Sequence, residues 1–360
     1  MRRAIASFPP FLEANPYRKL LYAELEKRGF PLVPTPRLRL AWLWTHRHTV
    51  GFLHFHWPEG AWRHDRGPVA LRRPLSYVRL CLLLVRLLVA RALAYRIVWT
   101  IHQVYPHERA GERLDRVGAM LLARASHVRV AHDTPTAEAA RHELHLRPGT
   151  VALVPHGSYI GVYPRGRSRR DVRSELEIDD EALVFLSFGT LRRYKQLDLL
   201  LAAFAGASPK TGRLVVTGEV SNSSDGEAVF AAAREDPRVR PLLGSVDDDR
   251  VAELFEASDV AVLPRSDGGT SGALILALSM GVPVVAARTA IAQELTSEGR
   301  AGWLFEPGDA DSLRAALEDA AATDRTEIAA KGKAGLEQVR SLSWSAAGER
   351  MADLLRKSLD

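Results

Sequence analysis

Between residues 265 and 272 the chain reads Arg-Ser-Asp-Gly-Gly-Thr-Ser-Gly, a polar glycine-rich turn lying between two apolar runs. Backbone amides left open at the start of a helix attract phosphate, through both their dipoles and their unsatisfied N–H groups. Gly269, Thr270, Ser271 and Gly272 are therefore candidates to hold an anionic ligand by their amides, with the Thr270 and Ser271 hydroxyls as further donors. A second polar turn, Gly189-Thr-Leu-Arg-Arg-Tyr-Lys195, places a forked donor, Arg192, and a point charge, Lys195, shortly after a glycine that permits a tight bend. Each turn also has a plain reading. The first fits any interior strand–turn–helix unit, and the second fits a solvated basic surface turn.

The flanking runs say how these turns are positioned. Residues 259–264, Asp-Val-Ala-Val-Leu-Pro, are short and β-branched, as an inner parallel strand should be. Thr270 or Ser271 can cap a helix that stays apolar on nearly every face to Met280, Gly281 can end it, and residues 283–287 read as the next strand. Earlier, residues 182–188 and 213–217 predict strands, while 197–205 and 251–257 predict helices, the latter started by Asp247-Asp-Asp249. Strands joined by helices imply a parallel sheet with right-handed crossovers. Residues 51–56, 95–102, 128–131 and 150–154 predict strands in the first half, so both halves read as Rossmann-like.

His102 ends one of those strands and should emerge at the carboxyl edge of its sheet, where ligands of open α/β sheets bind. A structural histidine is the rival reading. His46, His48, His54 and His56 raise a zinc site, but strand alternation puts only His54 and His56 on one face, without a third and fourth ligand. No metal is expected. The single cysteine, Cys81, lies in a leucine-rich run and reads as a small buried apolar group.

With 360 residues and 46% hydrophobic content the chain can build two buried cores. Residues 1–165 hold 25 Lys/Arg against 11 Asp/Glu, whereas the rest holds 24 against 32, and all 12 histidines precede Arg165. The expected boundaries are 1–165, 166–342, and a last helix within 343–360 that could cover either domain, packing back on the first being one option. No run is apolar enough to cross a bilayer and the first ten residues lack a signal-peptide core, so a cytoplasmic protein is expected. Residues 71–97 form a leucine- and valine-rich helical run punctuated by Arg72, Arg73, Arg79, Arg86, Arg91 and Arg96. It reads either as a Rossmann helix whose arginines reach out to water or as an interfacial helix on an anionic membrane. No nucleic-acid-binding motif accompanies the charge.

Four segments carry a resemblance: residues 188–201, residues 259–287, Val-Trp-Thr-Ile-His-Gln-Val-Tyr-Pro-His-Glu at 98–108, and Val-Ala-Leu-Val-Pro-His-Gly at 151–157. In this order they resemble the GT-B glycosyltransferases, most of all the retaining, nucleotide-sugar-dependent enzymes of glycosyltransferase family 4. The resemblance implies an α/β fold of two Rossmann-like domains facing a cleft. The acidic second half would bind a nucleotide-sugar donor of UDP, GDP or ADP type, and the basic first half an acceptor, lipid-linked or a small sugar. It implies catalytic roles for His102, Arg192 and Lys195, with the cations stabilising the charge that develops on the leaving diphosphate. Gly189, Thr190, Gly218, Glu219, Asp267, Gly268, Gly269, Thr270, Ser271 and Gly272 would line the donor site, and Asn15, Tyr17, His107 and Glu108 the acceptor side. No cofactor beyond the sugar nucleotide is implied.

This chain departs from that pattern at two points. Thr190 stands where the family has an arginine, leaving its role to Arg192 or Arg193. The family's glutamate pair falls on Gly268 and Leu276, and a leucine cannot accept hydrogen bonds from a ribose, so Asp267 or Glu219 would have to do so. A binding or scaffold protein of degenerate fold, a sugar-nucleotide epimerase and a phosphorylase stay open as alternatives.

Overall fold

The computed structural model describes residues 2–10, 16–34, 37–105, 112–208, 210, 212–221, 223–266 and 269–359. Its contacts divide the chain into two units, Met1–Gly157 with Leu342–Asp360, and Ser158–Ser341. The proline-, glycine- and arginine-rich stretch after Gly157 already belongs to the second unit. There the Tyr159 amide donates to Ser279 Oγ at 2.9 Å and the Arg167 amide to Glu253 Oε1 at 2.9 Å.

Unit 1 is a parallel sheet of β1 (Ala4–Phe8), β2 (Leu32–Val33), β3 (Val50–Phe55), β4 (Arg96–Ile101), β5 (Val128–Ala131) and β6 (Ala152–Leu153), in the order β2-β1-β3-β4-β5-β6. One face packs against the helices Val69–Ala92 and Glu112–Ala125 through Leu80, Leu83, Leu87 and Leu122. The other is covered by the helices Pro16–Lys27 and Trp344–Lys357, through Leu21, Leu25, Met351 and Leu355. The two covering helices are also latched to each other, with Arg28 donating to Glu349 Oε2 at 2.7 Å and to the Ser345 carbonyl at 2.9 Å.

Unit 2 is a second parallel sheet, of β7 (Val184–Phe188), β8 (Arg213–Gly218), β9 (Val239–Leu243), β10 (Val260–Leu263), β11 (Val284–Ala287) and β12 (Gly302–Phe305), in the order β12-β11-β10-β7-β8-β9. The chain winds outward in both directions from β7 and β10, which makes this pair the switch point where a doubly wound sheet opens a crevice.

The helix Val69–Ala92 buries Ser76, Leu80, Leu83, Leu87 and Ala90, a stripe at helical spacing. Most of its other apolar residues, among them Leu71, Leu75, Val78, Leu82, Val85 and Leu88, are exposed. Cys81 is exposed too, contrary to the sequence expectation. A leucine-rich run looks uniformly buried as text, but only the stripe toward the sheet is covered, and position 81 falls outside it.

In unit 2 a buried carboxylate ties the sheet to its helices. Asp259, at the foot of β10, accepts from the Val184 amide at 2.7 Å and from the fully buried Arg173 at 2.8 Å, and pairs with Arg325 at 2.7 Å and with Arg169. Burial opposes its ionisation, yet the Arg169 charge and the Arg325 and Val184 hydrogen bonds outweigh that and hold the carboxyl below the ordinary range. The stabilisation is thus complete near neutral pH and is lost only as pH falls through the depressed value. Replacing Asp259 by Ala strands the Arg173 charge in the interior and should cost about 3–5 kcal/mol. Urea unfolding of the variant at pH 7 measures the loss, and a change below about 1 kcal/mol would show that Asp259 is dispensable.

Candidate active site

At the carboxyl end of β7 the chain turns at Gly189, whose φ is +101°, and a Cβ there would lie 2.9 Å from Lys195 Nζ. Gly218, at the end of β8 with φ +134°, sits so close that a Cβ would fall 2.5 Å from the Gly189 carbonyl oxygen. These two glycines let the strand ends approach and leave Lys195 folded back over the turn. Lys195 closes a short 3-10 turn, Arg193–Lys195, and Gln196 follows with φ +53° to begin the helix Leu197–Gly206. The Gln196 amide group donates to Ser266 Oγ at 2.9 Å, joining the turn after β7 to the turn after β10.

Between these turns lies a cavity of about 170 Å³, lined by Gly189, Arg192 and Lys195 on one side and by Arg265, Ser271, Gly272 and Ala273 on the other. None of the described residues that line it is acidic. Ser271 caps the helix Gly272–Ser279 by accepting from the Leu274 amide at 3.2 Å. Gly272 and Ala273, in the first turn of that helix, thus line a site that also holds three cations. Burial, then the neighbouring Arg265 and Arg192 charges, push the Lys195 ammonium down to about 8. Such a cavity can take a compact polyanion, and a bound diphosphate would restore the lysine's charge.

Gly189, Arg192, Lys195, Ser271 and Gly272 thus meet in one place. Gly269 is buried and lines a smaller neighbouring cavity of about 20 Å³ that also touches Arg265 and Ser271. Gly218 lies beneath Gly189, while Thr190 and Thr270 are half-buried outside the cavity lining. Glu219 is exposed and does not line the cavity; its carbonyl accepts from the Leu191 amide at 2.8 Å. Asp267 and Gly268 lie outside the described residues. Leu276 is 5% exposed within its helix, so its side chain belongs to the core. Arg265 was missed as a site residue, although its place directly after Pro264 at the mouth of the glycine-rich turn was the available signal.

In unit 1, His102 stands just past β4, and it has company. His56 follows β3, His132 follows β5 and His156 follows β6, so successive parallel strands each deliver an imidazole to the same edge. Tyr17, buried in the first turn of its helix, packs its ring against His56, His102, His132 and His156 at centroid distances of 5.7, 5.0, 5.1 and 5.1 Å. Burial is the chief force lowering every one of these imidazoles, neighbouring histidines add to it at His54, His56, His102 and His156, the Val154 carbonyl and Asp133 oppose it at His132, and His54 and His156 are pushed down to about 3. All are neutral at physiological pH. They act as hydrogen-bonding groups and aromatic surface, and among the described residues no set of His, Cys, Asp and Glu is arranged to hold a metal ion. Asn15, His107 and Glu108 lie outside the described residues. Sequence reading singled out His102 among the histidines that end strands at this edge, though His132 carries the same signal of a polar residue directly after an apolar strand, and His156 lies three residues past β6.

Residues 182–323 match the family model described as glycosyl transferases group 1. The chain is similar to the GDP-mannose:glycolipid 4-beta-D-mannosyltransferase of Xanthomonas campestris pv. campestris, 28% identical over 298 residues, covering 82% of this chain and 76% of that protein. Among solved structures it resembles sucrose-phosphate synthase from Thermosynechococcus elongatus, with a TM-score of 0.74 at 18% identity over 99% of both chains. It also resembles Anabaena HepE in complex with UDP-glucose, with a TM-score of 0.74 at 16% identity over 98% of this chain and 99% of that one. Two doubly wound parallel units, a family match over most of the second and a mannosyltransferase relative aligned across 82% of the length make this chain a GT-B glycosyltransferase, an enzyme that moves a sugar from a nucleotide-sugar donor to an acceptor.

Proposed function

We propose that the donor's diphosphate occupies the cavity beyond β7 and β10, with Lys195, Arg192 and Arg265 neutralising the charge that builds on the leaving oxygen. The Gly272 and Ala273 amides contribute fixed dipoles to the same end. His102 and Tyr17, at the histidine edge of unit 1, are assigned to contacts with sugar. The observation that carries this reading is the meeting of three cations and the first turn of a helix in a cavity whose described lining has no carboxylate. No metal is needed to offset the diphosphate in this scheme.

Calorimetric titration with UDP, GDP and ADP tests it. Lys195→Ala should weaken the preferred nucleotide about 10- to 100-fold, the worth of one hydrogen bond to a charged group. In the wild type, affinity should hold below pH 8 and fall as pH rises through that value, because the free ammonium then gives up its proton before the phosphate arrives. Failure to bind any of the three nucleotides, or a Lys195→Ala variant that binds like wild type, would overturn the assignment.

We further propose that transfer proceeds with retention of anomeric configuration, as the family resemblance implies. The Xanthomonas relative is named for a beta linkage. The product's anomeric proton coupling decides the matter: an alpha product from an alpha-linked donor supports retention, and a beta product rejects it.

We also propose that the enzyme works on the cytoplasmic face of an anionic membrane, on a lipid-linked acceptor. The support is the solvent side of the helix Val69–Ala92, where exposed Leu71, Leu75, Val78, Leu82 and Val85 recur at alternating four- and three-residue steps. Arg72, Arg73, Arg79, Arg86 and Arg91 flank them, and the helix contains no acidic residue. Beside it the helix Leu40–His46 exposes Leu40 and Trp44. No helix among the described residues is long and apolar enough to cross a membrane, so the contact would be interfacial. The protein should co-sediment with phosphatidylglycerol vesicles, weakly with phosphatidylcholine ones, and a Val78→Asp/Leu82→Asp variant should lose the binding while keeping its thermal unfolding midpoint. Equal recovery in the supernatant with and without anionic vesicles would refute the proposal.

A further inference from the structure

The two turns that wall the cavity of unit 2 also touch each other, at points on either side of Lys195. On one side the Arg265 guanidinium lies over the Tyr194 ring, 5.6 Å from its centroid. On the other the Gln196 side-chain amide donates to Ser266 Oγ at 2.9 Å. Residues 194 and 196 thus meet residues 265 and 266, and the lysine between them belongs to a segment fastened at both flanks.

Gln196 makes its contact against every local preference. Its backbone amide donates to the Arg193 carbonyl at 3.0 Å, closing the 3-10 turn, and its carbonyl accepts from the Leu200 amide at 3.2 Å, starting the helix Leu197–Gly206. Joining those two turns puts the residue in the left-handed region, at φ +53° and ψ +44°, where a side chain with a Cβ is strained. A residue at the start of a helix ordinarily caps it with its side chain, and Gln196 makes no such bond. Its second amide atom, Oε1, is buried without a partner among the described residues. A strained backbone, an uncapped helix and an unmatched carbonyl at one residue all run against stability, and a residue held so by its surroundings is a candidate for function.

The function the geometry offers is electrostatic. The Arg265 and Arg192 charges both act on Lys195, so the cations repel one another across the cavity. Turns free to move would carry them apart, and an arriving diphosphate would have to draw them together out of its own binding free energy. Walls already fastened through Tyr194 and Gln196 present the cations in advance, which is the condition for stabilising charge on a leaving group.

We propose that Gln196, with Tyr194, is a positioning residue for the donor's diphosphate: bonded to Ser266, it holds the Lys195 ammonium and the Arg265 guanidinium on facing walls before the ligand arrives. The proposal rests on the reading that the diphosphate occupies this cavity, and adds the residues that set the spacing of its cations.

Calorimetry on the full chain with UDP, GDP, ADP and inorganic pyrophosphate, paired with thermal unfolding, tests it. Gln196→Gly removes the side chain and relieves the backbone together, so the unfolding midpoint should stay or rise while the preferred nucleotide binds about five- to tenfold more weakly. A merely structural residue would do the reverse, lowering the midpoint and sparing the affinity. Ser266→Ala should lose as much affinity, the Gln196→Gly/Ser266→Ala double variant no more than either alone, and Ser266→Thr, which keeps the hydroxyl, should retain most of it. In a Lys195→Ala background Gln196→Gly should change affinity less than about twofold, because the cation it positions is gone. A Gln196→Gly variant that binds like wild type, or one whose loss is undiminished without Lys195, overturns the proposal. If Lys195→Ala weakens binding and Gln196→Gly does not, the positioning role alone falls. If Lys195→Ala also binds like wild type, or the wild type binds none of these ligands, the diphosphate assignment falls and takes this proposal with it.

Discussion

Both units depend on parallel alignment of their strands. Because every strand of a sheet points the same way, whatever residue follows each strand is delivered to one common edge, and crossover helices begin there too. In unit 1 this gathers His56, His102, His132 and His156, which are far apart in sequence, against a single tyrosine. In unit 2 it brings the turn after β7 and the turn after β10 to opposite walls of one cavity. Neither gathering needs a long loop or a bound ion.

The two edges have opposite electrostatic character. In unit 2 burial, and then the Arg265 and Arg192 charges beside it, lower the Lys195 ammonium, and a ligand bearing negative charge would offset that penalty. In unit 1 the same burial removes charge altogether, leaving neutral rings whose polarity lies in where the protons sit. One edge gathers positive charge and the other gathers neutral imidazoles.

Much of this could be read from the sequence where period and punctuation agree. The run ending at Pro264, the capping Ser271 and Gly281 specify strand, turn and helix locally, and the structure adds only that Ser271 rather than Thr270 supplies the cap. Residues 4–8, Ala-Ile-Ala-Ser-Phe, escaped notice as β1 because small residues dilute the β-branched signal and a central strand has no polar alternation to reveal it. The β9 strand, Val-Arg-Pro-Leu-Leu, was hidden by its proline, which an edge position tolerates. Among site residues, Arg192 and Lys195 could be named because they lie near a glycine in the chain. The alliance of Thr100, His54, Tyr22 and His56 could not, since it joins side chains from three elements through contacts that no local pattern encodes. The exposed face of the helix Val69–Ala92 was legible as composition, and only burial distinguished its covered stripe from its bare one.

The last helix of the chain has a consequence for how the molecule can be taken apart. Because Leu342–Asp360 returns to the unit that begins at Met1, the polypeptide passes between the units twice, and unit 2 is an insertion within unit 1. No single proteolytic nick yields two intact halves. Residues 158–341 are one uninterrupted stretch, whereas the remainder must be rejoined across the gap, and truncation after Ser341 uncovers the apolar face of the Pro16–Lys27 helix by removing Met351 and Leu355.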